Sequence, residues 1–233
     1  MKKFLFCVAV LGSMLSCSTD NENSATESGI KTGHDVFTFS YKGKSYSSSY
    51  DSGKKILTLD NADVNKLYAR LQELPELATL ENQDGTVTYY DTYADLSEAL
   101  NLKTASSSKS ISGKTAESAG QIFLYENIDR GGRSIPFDVD AFGLNVPDMG
   151  AYSFNDRLTS FEMVLNLPNT YIVTIFRDGN YQGRSHSFNG PTSINGVLYI
   201  RYLGDYVMTN RFPKDITWND QMTSFKVSVV YNF

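Results

Sequence analysis

Cysteine is almost absent from this chain: among 233 residues only Cys7 and Cys17 carry a thiol. Cys7 lies in an N-terminal apolar run read below as a removed leader, so the mature chain keeps one thiol. That excludes an intrachain disulfide and a cysteine nucleophile. Histidine is nearly as scarce. His34 and His186 are the only two, and no cysteine accompanies either, which argues against a transition-metal site. Basic residues are outnumbered 21 to 26 by acidic ones, so the footprint expected of a nucleic-acid-binding protein is missing. The only long apolar run, Phe4 to Leu15, is too short to span a bilayer as a helix. There is no HExxH, GxSxG, P-loop or dinucleotide-binding fingerprint. What remains to hold the fold is core burial, metal, or both.

The chain opens with MKKFLFCVAVLGSMLSC. Lys2 and Lys3 form a positive start, and the apolar run has the length of a signal peptide. Leu15-Ser16-Cys17 resembles a lipobox, the cleavage and lipidation signal of bacterial lipoproteins. The resemblance implies removal of residues 1–16, a lipid on Cys17, and a membrane anchor without a spanning segment. It places the protein as a secreted lipoprotein at the outer membrane or cell surface. Asp20 and Glu22 resemble the export signals of surface lipoproteins in Bacteroidetes. Without Lys2 and Lys3 the mature balance is 19 basic against 26 acidic residues, a net −7.

Two shifts in composition divide the rest. Residues 17–34 are polar and read as a tether. Residues 104–120, TASSSKSISGKTAESAG, read as a Ser-rich linker. Between them, residues 35–103 read as a small α+β domain. Val36–Tyr41 alternates, Lys42-Gly43-Lys44 turns, and Ser45–Tyr50 returns. Ile56–Leu59 suggests a third short strand. Asp60 or Asn61 caps a helix with an apolar face of Val64, Leu67, Tyr68, Leu71 and Leu74, ended by Pro75. Leu77–Glu81 and Thr86–Tyr90 flank a turn at Asn82-Gln83-Asp84-Gly85. Leu96, Ala99 and Leu100 close with a second helix. Asp84 and Asp91 read as turn residues, and no family or catalytic constellation is evident here.

Residues 121–233 contain an internal repeat. Tyr125-Glu126-Asn127-Ile128-Asp129-Arg130-Gly131-Gly132-Arg133-Ser134 and Phe176-Arg177-Asp178-Gly179-Asn180-Tyr181-Gln182-Gly183-Arg184-Ser185 both read aromatic-x6-Gly-Arg-Ser. Each is followed by a second shared string: Phe154-Asn155-Asp156-Arg157-Leu158-Thr159-Ser160-Phe161, then Trp218-Asn219-Asp220-Gln221-Met222-Thr223-Ser224-Phe225. Tyr125 and Asn155 stand 30 positions apart, Phe176 and Asn219 43, so the second half carries 13 extra residues, expected within Asn195–Asp215. Gly132 and Gly183 suit a folded hairpin with positive φ, and Ser134 and Ser185 are expected to bond its backbone. Ile122/Leu124, Phe161/Met163, Ile172/Thr174/Phe176 and Phe225/Val227/Val229 show the period-two pattern of sandwich strands.

Calcium takes several oxygen ligands, including carboxylates, carbonyls and water. Asn-Asp-x-x-Thr-Ser offers a carboxylate, a turn carbonyl and a hydroxyl. One copy supplies too few ligands, but two facing copies can share them. These strings resemble the [N/D][N/D]xx[S/T]S motif of microbial βγ-crystallins, and the likeness covers residues 121–231. It implies an all-β C-terminal βγ-crystallin-like sandwich of two Greek keys, with two calcium ions and no enzyme activity. Carried over, Asp156 and Asp220 give carboxylates to the opposite site, and Thr159 and Thr223 give hydroxyls. Arg157 and Gln221 give carbonyls, and Glu126 and Arg177 are the matching first-loop positions. Arg157 and Arg177 depart from an acidic ideal. Asn155 and Asn219 are expected to brace the turn. The expected partners are calcium and, through the lipid, a membrane.

A different class of reading makes the chain an interaction protein. The extra segment, with Tyr199, Tyr202, Tyr206 and Phe212, would then bind a glycan or protein, as some microbial relatives inhibit proteases. The simpler reading is that these rings cover the sandwich.

Overall fold

A computed structural model describes residues 34–51, 57–82, 84–103, 118–166, 169–190, 195–209 and 216–230. The signal peptide, Cys17, the tether, most of the Ser-rich stretch and Phe212 lie outside the described residues.

The first segment forms in the order anticipated from its patterning. Strands β1 (His34–Tyr41) and β2 (Lys44–Asp51) make a hairpin through Lys42-Gly43. Helix α1 (Ala62–Gln72) starts where the Asn61 side chain accepts the Asp63 and Val64 N–H groups, both at 3.1 Å, satisfying donors that have no intrahelical partner. It buries Leu67, Tyr68 and Leu71. Of the expected third strand, only Leu59 pairs among the described residues, in a single bridge to Tyr50. Strands β3 (Ala78–Glu81) and β4 (Val87–Tyr90) pair antiparallel. Asp84 does hold their turn, accepting the Thr86 hydroxyl at 2.6 Å and its N–H at 2.9 Å. Asp91 accepts the Tyr41 hydroxyl at 2.7 Å and pairs with Lys42. Helix α2 (Tyr93–Ala99) opens with a Thr92–Asp95 capping box, and β5 (Leu102–Lys103) follows.

The second segment contributes β6 (Ser118–Asn127), β7 (Gly131–Asp140), β8 (Leu144–Val146) and β9 (Ser160–Leu165) from the first repeat. The second repeat gives β10 (Thr170–Asp178), β11 (Gln182–Asn189), β12 (Val197–Ile200) and β15 (Ser224–Val230). A small hairpin of β13 (Val207–Thr209) and β14 (Ile216–Thr217) interrupts it. That hairpin accounts for most of the extra length of the second half.

Each repeat is a Greek key whose third strand crosses to the other sheet. One sheet runs β12-β9-β6-β7, so the second repeat's β12 completes the first repeat's sheet. In the other, β8 of the first repeat pairs with β15 beside β10 and β11. The exchange ties the two repeats into one sandwich. Its core includes Ile122, Leu124, Phe154, Phe161, Val173, Phe188, Trp218 and Phe225.

The sheet that holds β10 does not stop at the second segment. Its order is β2-β1-β4-β3-β11-β10-β15, and β5 and β8 share the far side of β15. Strand β3 lies parallel to β11, with Ala78 opposite Ser185 and Glu81 opposite Phe188. The Ser-rich stretch divides the sequence, yet one sheet runs across that division. It covers the edge of β11, which would otherwise be open to pairing.

The period-two pattern does not by itself give the inner face of β10. Ile172/Thr174/Phe176 carry period two, but Tyr171, Val173 and Ile175 face the sandwich core. Ile172 packs on the opposite face with Ala78, Leu80 and Leu96, and Phe176 meets the Tyr93 ring edge-on at 4.7 Å. Helix α2 covers that face. Residues 171–176 are therefore all buried, and a strand buried on both sides shows no alternation that reveals its inner face.

Candidate metal centre

The two repeats build matching loops from matching residues. In the first, β6 and β7 fold over at Asn127–Gly131, where Asp129 and Arg130 take φ of 56° and 62°. In the second, Asn180 and Tyr181 take 56° and 63°. Gly132 and Gly183 follow at φ +74° and +71°, and a Cβ there would sit 2.7 Å from Asn127 Nδ2 and 2.4 Å from Asp178 Oδ2. The positive φ strains any residue with a Cβ, and Asn127 or Asp178 would have to shift to make room for one.

The hydroxyls that pin these folds are not those expected. Ser134 is exposed and the Ser185 hydroxyl is buried without a hydrogen-bond partner. Instead Ser160 donates to the Asn127 carbonyl at 2.6 Å and accepts the Arg130 N–H at 3.3 Å. Ser224 does the same at Asp178 (2.7 Å) and Tyr181 (3.1 Å). These are the last serines of the Asn-Asp-x-x-Thr-Ser strings. The signal was present in the sequence, since Ser160 and Ser224 recur at identical motif positions, but the hairpin they reach is 30 or more residues away.

The two Asn-Asp strings meet crosswise. The Asp156 N–H donates to the Met222 carbonyl at 3.1 Å, and the Asp220 N–H to Leu158 at 3.0 Å. Asp156 and Asp220 adopt φ of 50° and 54°. The Thr159 and Thr223 N–H groups each bond the strand beside the folded hairpin, at Tyr125 and Phe176, both at 3.0 Å. As a result Thr159 Oγ1 lies 3.3 Å from Asp220 Oδ1, and Thr223 Oγ1 lies 3.4 Å from Asp156 Oδ1. Each carboxylate stands beside the hydroxyl of the other repeat. Asn155 and Asn219 donate to the outer carboxylate oxygens, Asp156 Oδ2 at 2.7 Å and Asp220 Oδ2 at 2.8 Å. They brace the carboxylates and leave each Oδ1 facing the threonine.

Both are long hydroxyl–carboxylate hydrogen bonds, and the same separations are compatible with two oxygens around one cation. Such bonds close to about 2.7–2.8 Å. Two oxygens each ~2.4 Å from one calcium ion, at roughly a right angle, lie about 3.4 Å apart. Glu126 and Arg177 sit at the register shifts of their strands, between Tyr125 and Asn127 and between Phe176 and Asp178. A bulged residue has no cross-strand partner, so its carbonyl is available. Of each expected site, the structure brings together the hydroxyl and the carboxylate, Thr159 with Asp220 and Thr223 with Asp156; the bulge carbonyls of Glu126 and Arg177 and the turn carbonyls of Arg157 and Gln221 are the further oxygens that would hold an ion. This all-oxygen set fits calcium, with water supplying the remaining positions. Among the described residues no group of three or more His, Cys, Asp or Glu gathers, so an ion held here would meet neutral oxygens and a single carboxylate.

The arginines behave differently from each other. Arg157 Nη1 reaches Glu126 Oε1 at 3.0 Å, so the Glu126 carboxylate is paired with an arginine. Arg177 Nε lies 3.5 Å from Asp178 Oδ1. The Gln221 side chain folds onto the Asp220 carbonyl at 2.9 Å. His186 faces the sandwich, against Phe188, Tyr206 and Trp218, whereas its neighbours Ser185 and Ser187 turn to the other face. They form no catalytic pair.

No family model matches this chain, and no curated protein matches it. Solved βγ-crystallin structures align with about half of it. One, described as "Evolution of the eye lens beta-gamma-crystallin domain fold", covers 51% of this chain and 95% of its own at 20% identity and a TM-score of 0.33. A βγ-crystallin from Ciona intestinalis covers 46% and 96% at 21% identity and a TM-score of 0.29. A βγ-crystallin domain from Clostridium beijerinckii covers 48% and 98% at 21% identity and a TM-score of 0.28. At this level the alignments describe a resemblance. The assignment of residues 118–230 as a βγ-crystallin-like Greek-key sandwich rests on the exchanged strands and the paired hairpins, with a small α+β segment before it.

Proposed function

We propose that this protein is a non-enzymatic, calcium-binding module of the βγ-crystallin type, carried on a lipoprotein anchored through Cys17, in which calcium stabilises the sandwich. The crossed Thr159–Asp220 and Thr223–Asp156 pairs support this reading most directly. They form only when both repeats are folded, so an ion held there favours the native state. Calorimetric titration of the full chain lacking its leader is expected to show two bound calcium ions. Absence of binding heat at millimolar calcium, together with an unchanged melting temperature, would remove the sites.

The alternative use of the aromatic segment as a ligand surface finds little support. Tyr206 packs edge-on against Phe188 at 5.1 Å and His186 at 5.3 Å. The Arg130 guanidinium stacks 3.9 Å above the Tyr199 ring. Tyr206 packs on the sandwich core, and Tyr199 stacks with Arg130 at its surface.

The anchor rests on Leu15-Ser16-Cys17, and no described helix is long and apolar enough to cross a membrane. Cys17→Ala is expected to move the protein from the membrane to the soluble fraction while its circular dichroism spectrum is retained. A variant that stays membrane-bound would place the anchor elsewhere.

A further inference from the structure

The repeat position Gly-Arg-Ser serves two different ends. In the first copy, Arg133 is exposed and donates to the Tyr152 and Ser153 carbonyls at 3.0 Å, inside its own repeat. In the second, Arg184 is only 5% exposed. Its Nη2 donates to the carbonyl of Gln72, the last residue of α1, and its Nη1 to the Met208 carbonyl and, at 3.4 Å, to Gln72 Oε1. A cation at a helix C-terminus meets carbonyls without intrahelical partners and the negative end of the helix dipole. The next residue continues the contact, its N–H donating to the Leu77 carbonyl at 3.1 Å where β3 joins β11.

This latch adjoins the second metal site. Arg184 directly follows Gly183, which closes the folded hairpin begun at the bulge of Arg177. A cleft of about 380 Å³ lies between α1 and that site, lined by Glu73 and Pro75 on one side and by Arg177, Arg184 and Gln221 on the other. Arg177 and Gln221 are the residues whose carbonyls serve the second site.

We propose that Arg184 is a positioning residue that couples the second calcium site to the docking of α1 and β3, so that an ion bound there also secures residues 62–81. The inference rests on the calcium reading above. Among the described residues the first repeat makes no such connection from this position, because Arg133 stays within its repeat. An ion that orders the Arg177–Gly183 hairpin fixes the backbone from which Arg184 and Ser185 extend. By linkage, the docked helix must in turn favour the ion by the same factor.

The test is amide hydrogen exchange of the full chain lacking its leader, with calcium and with chelator, alongside calorimetry on the same samples. In wild type, calcium is expected to slow exchange of the β3 amides and the last turn of α1 by about 10-fold, within the usual span of coupling between sites. Arg184→Lys keeps the charge and loses the bidentate reach. It is expected to reduce that slowing to less than about twofold and to weaken one of the two calcium affinities by a similar factor. Arg133→Lys is expected to behave as wild type in the α1 and β3 amides. Calcium heat without a change in those amides in wild type overturns the coupling and leaves the calcium reading standing. Equal effects of the two arginine variants also overturn it. No calcium heat overturns both. If Arg184→Lys does not fold, the wild-type comparison decides.

Discussion

Calcium is expected to raise the melting temperature of the leaderless chain by about 5–10 °C, and the double variant Asp156→Ala/Asp220→Ala is expected to lose that rise. The magnitude follows from linkage: a ligand at a hundredfold excess over Kd that binds only the native state adds about 2.7 kcal/mol, and a domain of this size gains roughly 2–4 °C per kcal/mol. The direction follows from charge. Among the described residues, Asp156 and Asp220 are the carboxylates brought to the crossed threonines, and both are buttressed by an asparagine. Removing them leaves only neutral oxygens. Single variants should each affect both sites, since the Asp156 and Asp220 amides also tie the two loops together. Thr159→Ala should be milder, because a hydroxyl is a neutral ligand. Thermal melts of each variant with calcium and with chelator provide the check. An equal calcium-induced rise in wild type and double variant would show that the ion binds elsewhere.

Trp218→Ala is expected to cost about 3–5 kcal/mol, the usual range for emptying a large aromatic site in a core, and so to lower the melting temperature by roughly 6–20 °C. Trp218 is the only tryptophan in the chain and is 1% exposed. It packs against His186 and carries Asn219-Asp220 on its C-terminal side. Its backbone N–H bonds the Tyr206 carbonyl at 3.0 Å, a bond that the substitution leaves in place, so the expected loss is that of the side chain's packing. The first repeat places Phe154 at the same position, fully buried. Trp218→Phe should therefore be far less damaging. Tyr199→Ala, in the same segment but half-buried, should cost about 1 kcal/mol or less, as expected of a partly exposed cation–π stack. Scanning calorimetry of the three variants tests the order. A small loss for Trp218→Ala would mean that the second half can collapse around the cavity, contrary to its close packing.

The Greek-key half could be read from its sequence because its signals are local and doubled. Aromatic-x6-Gly-Arg-Ser needs a residue without Cβ at a positive-φ corner, and Asn-Asp-x-x-Thr-Ser packs a turn, a hydroxyl and a charge into six positions. Occurring twice in one order, the strings announced their symmetry and the crossed meeting of Thr159 with Asp220 and of Thr223 with Asp156. The order of strands and helices in residues 34–103 followed in the same way from alternation, from the apolar face of α1 and from its cap at Asn61. Tertiary structure alone decided the relations between segments distant in sequence. The parallel pairing of β3 with β11 has no local signal, because any strand with a free edge presents the same N–H and C=O groups. The facing of Ile172 and Phe176 was undetermined, since a strand covered by α2 on one side and the sandwich on the other is apolar throughout. Ser160 and Ser224 replaced Ser134 and Ser185 as the hairpin's anchors because folding brings the end of one motif against the start of the other. Arg133 and Arg184 occupy one repeat position, yet only Arg184 is buried against a helix end, because only the second repeat's edge receives the N-terminal segment.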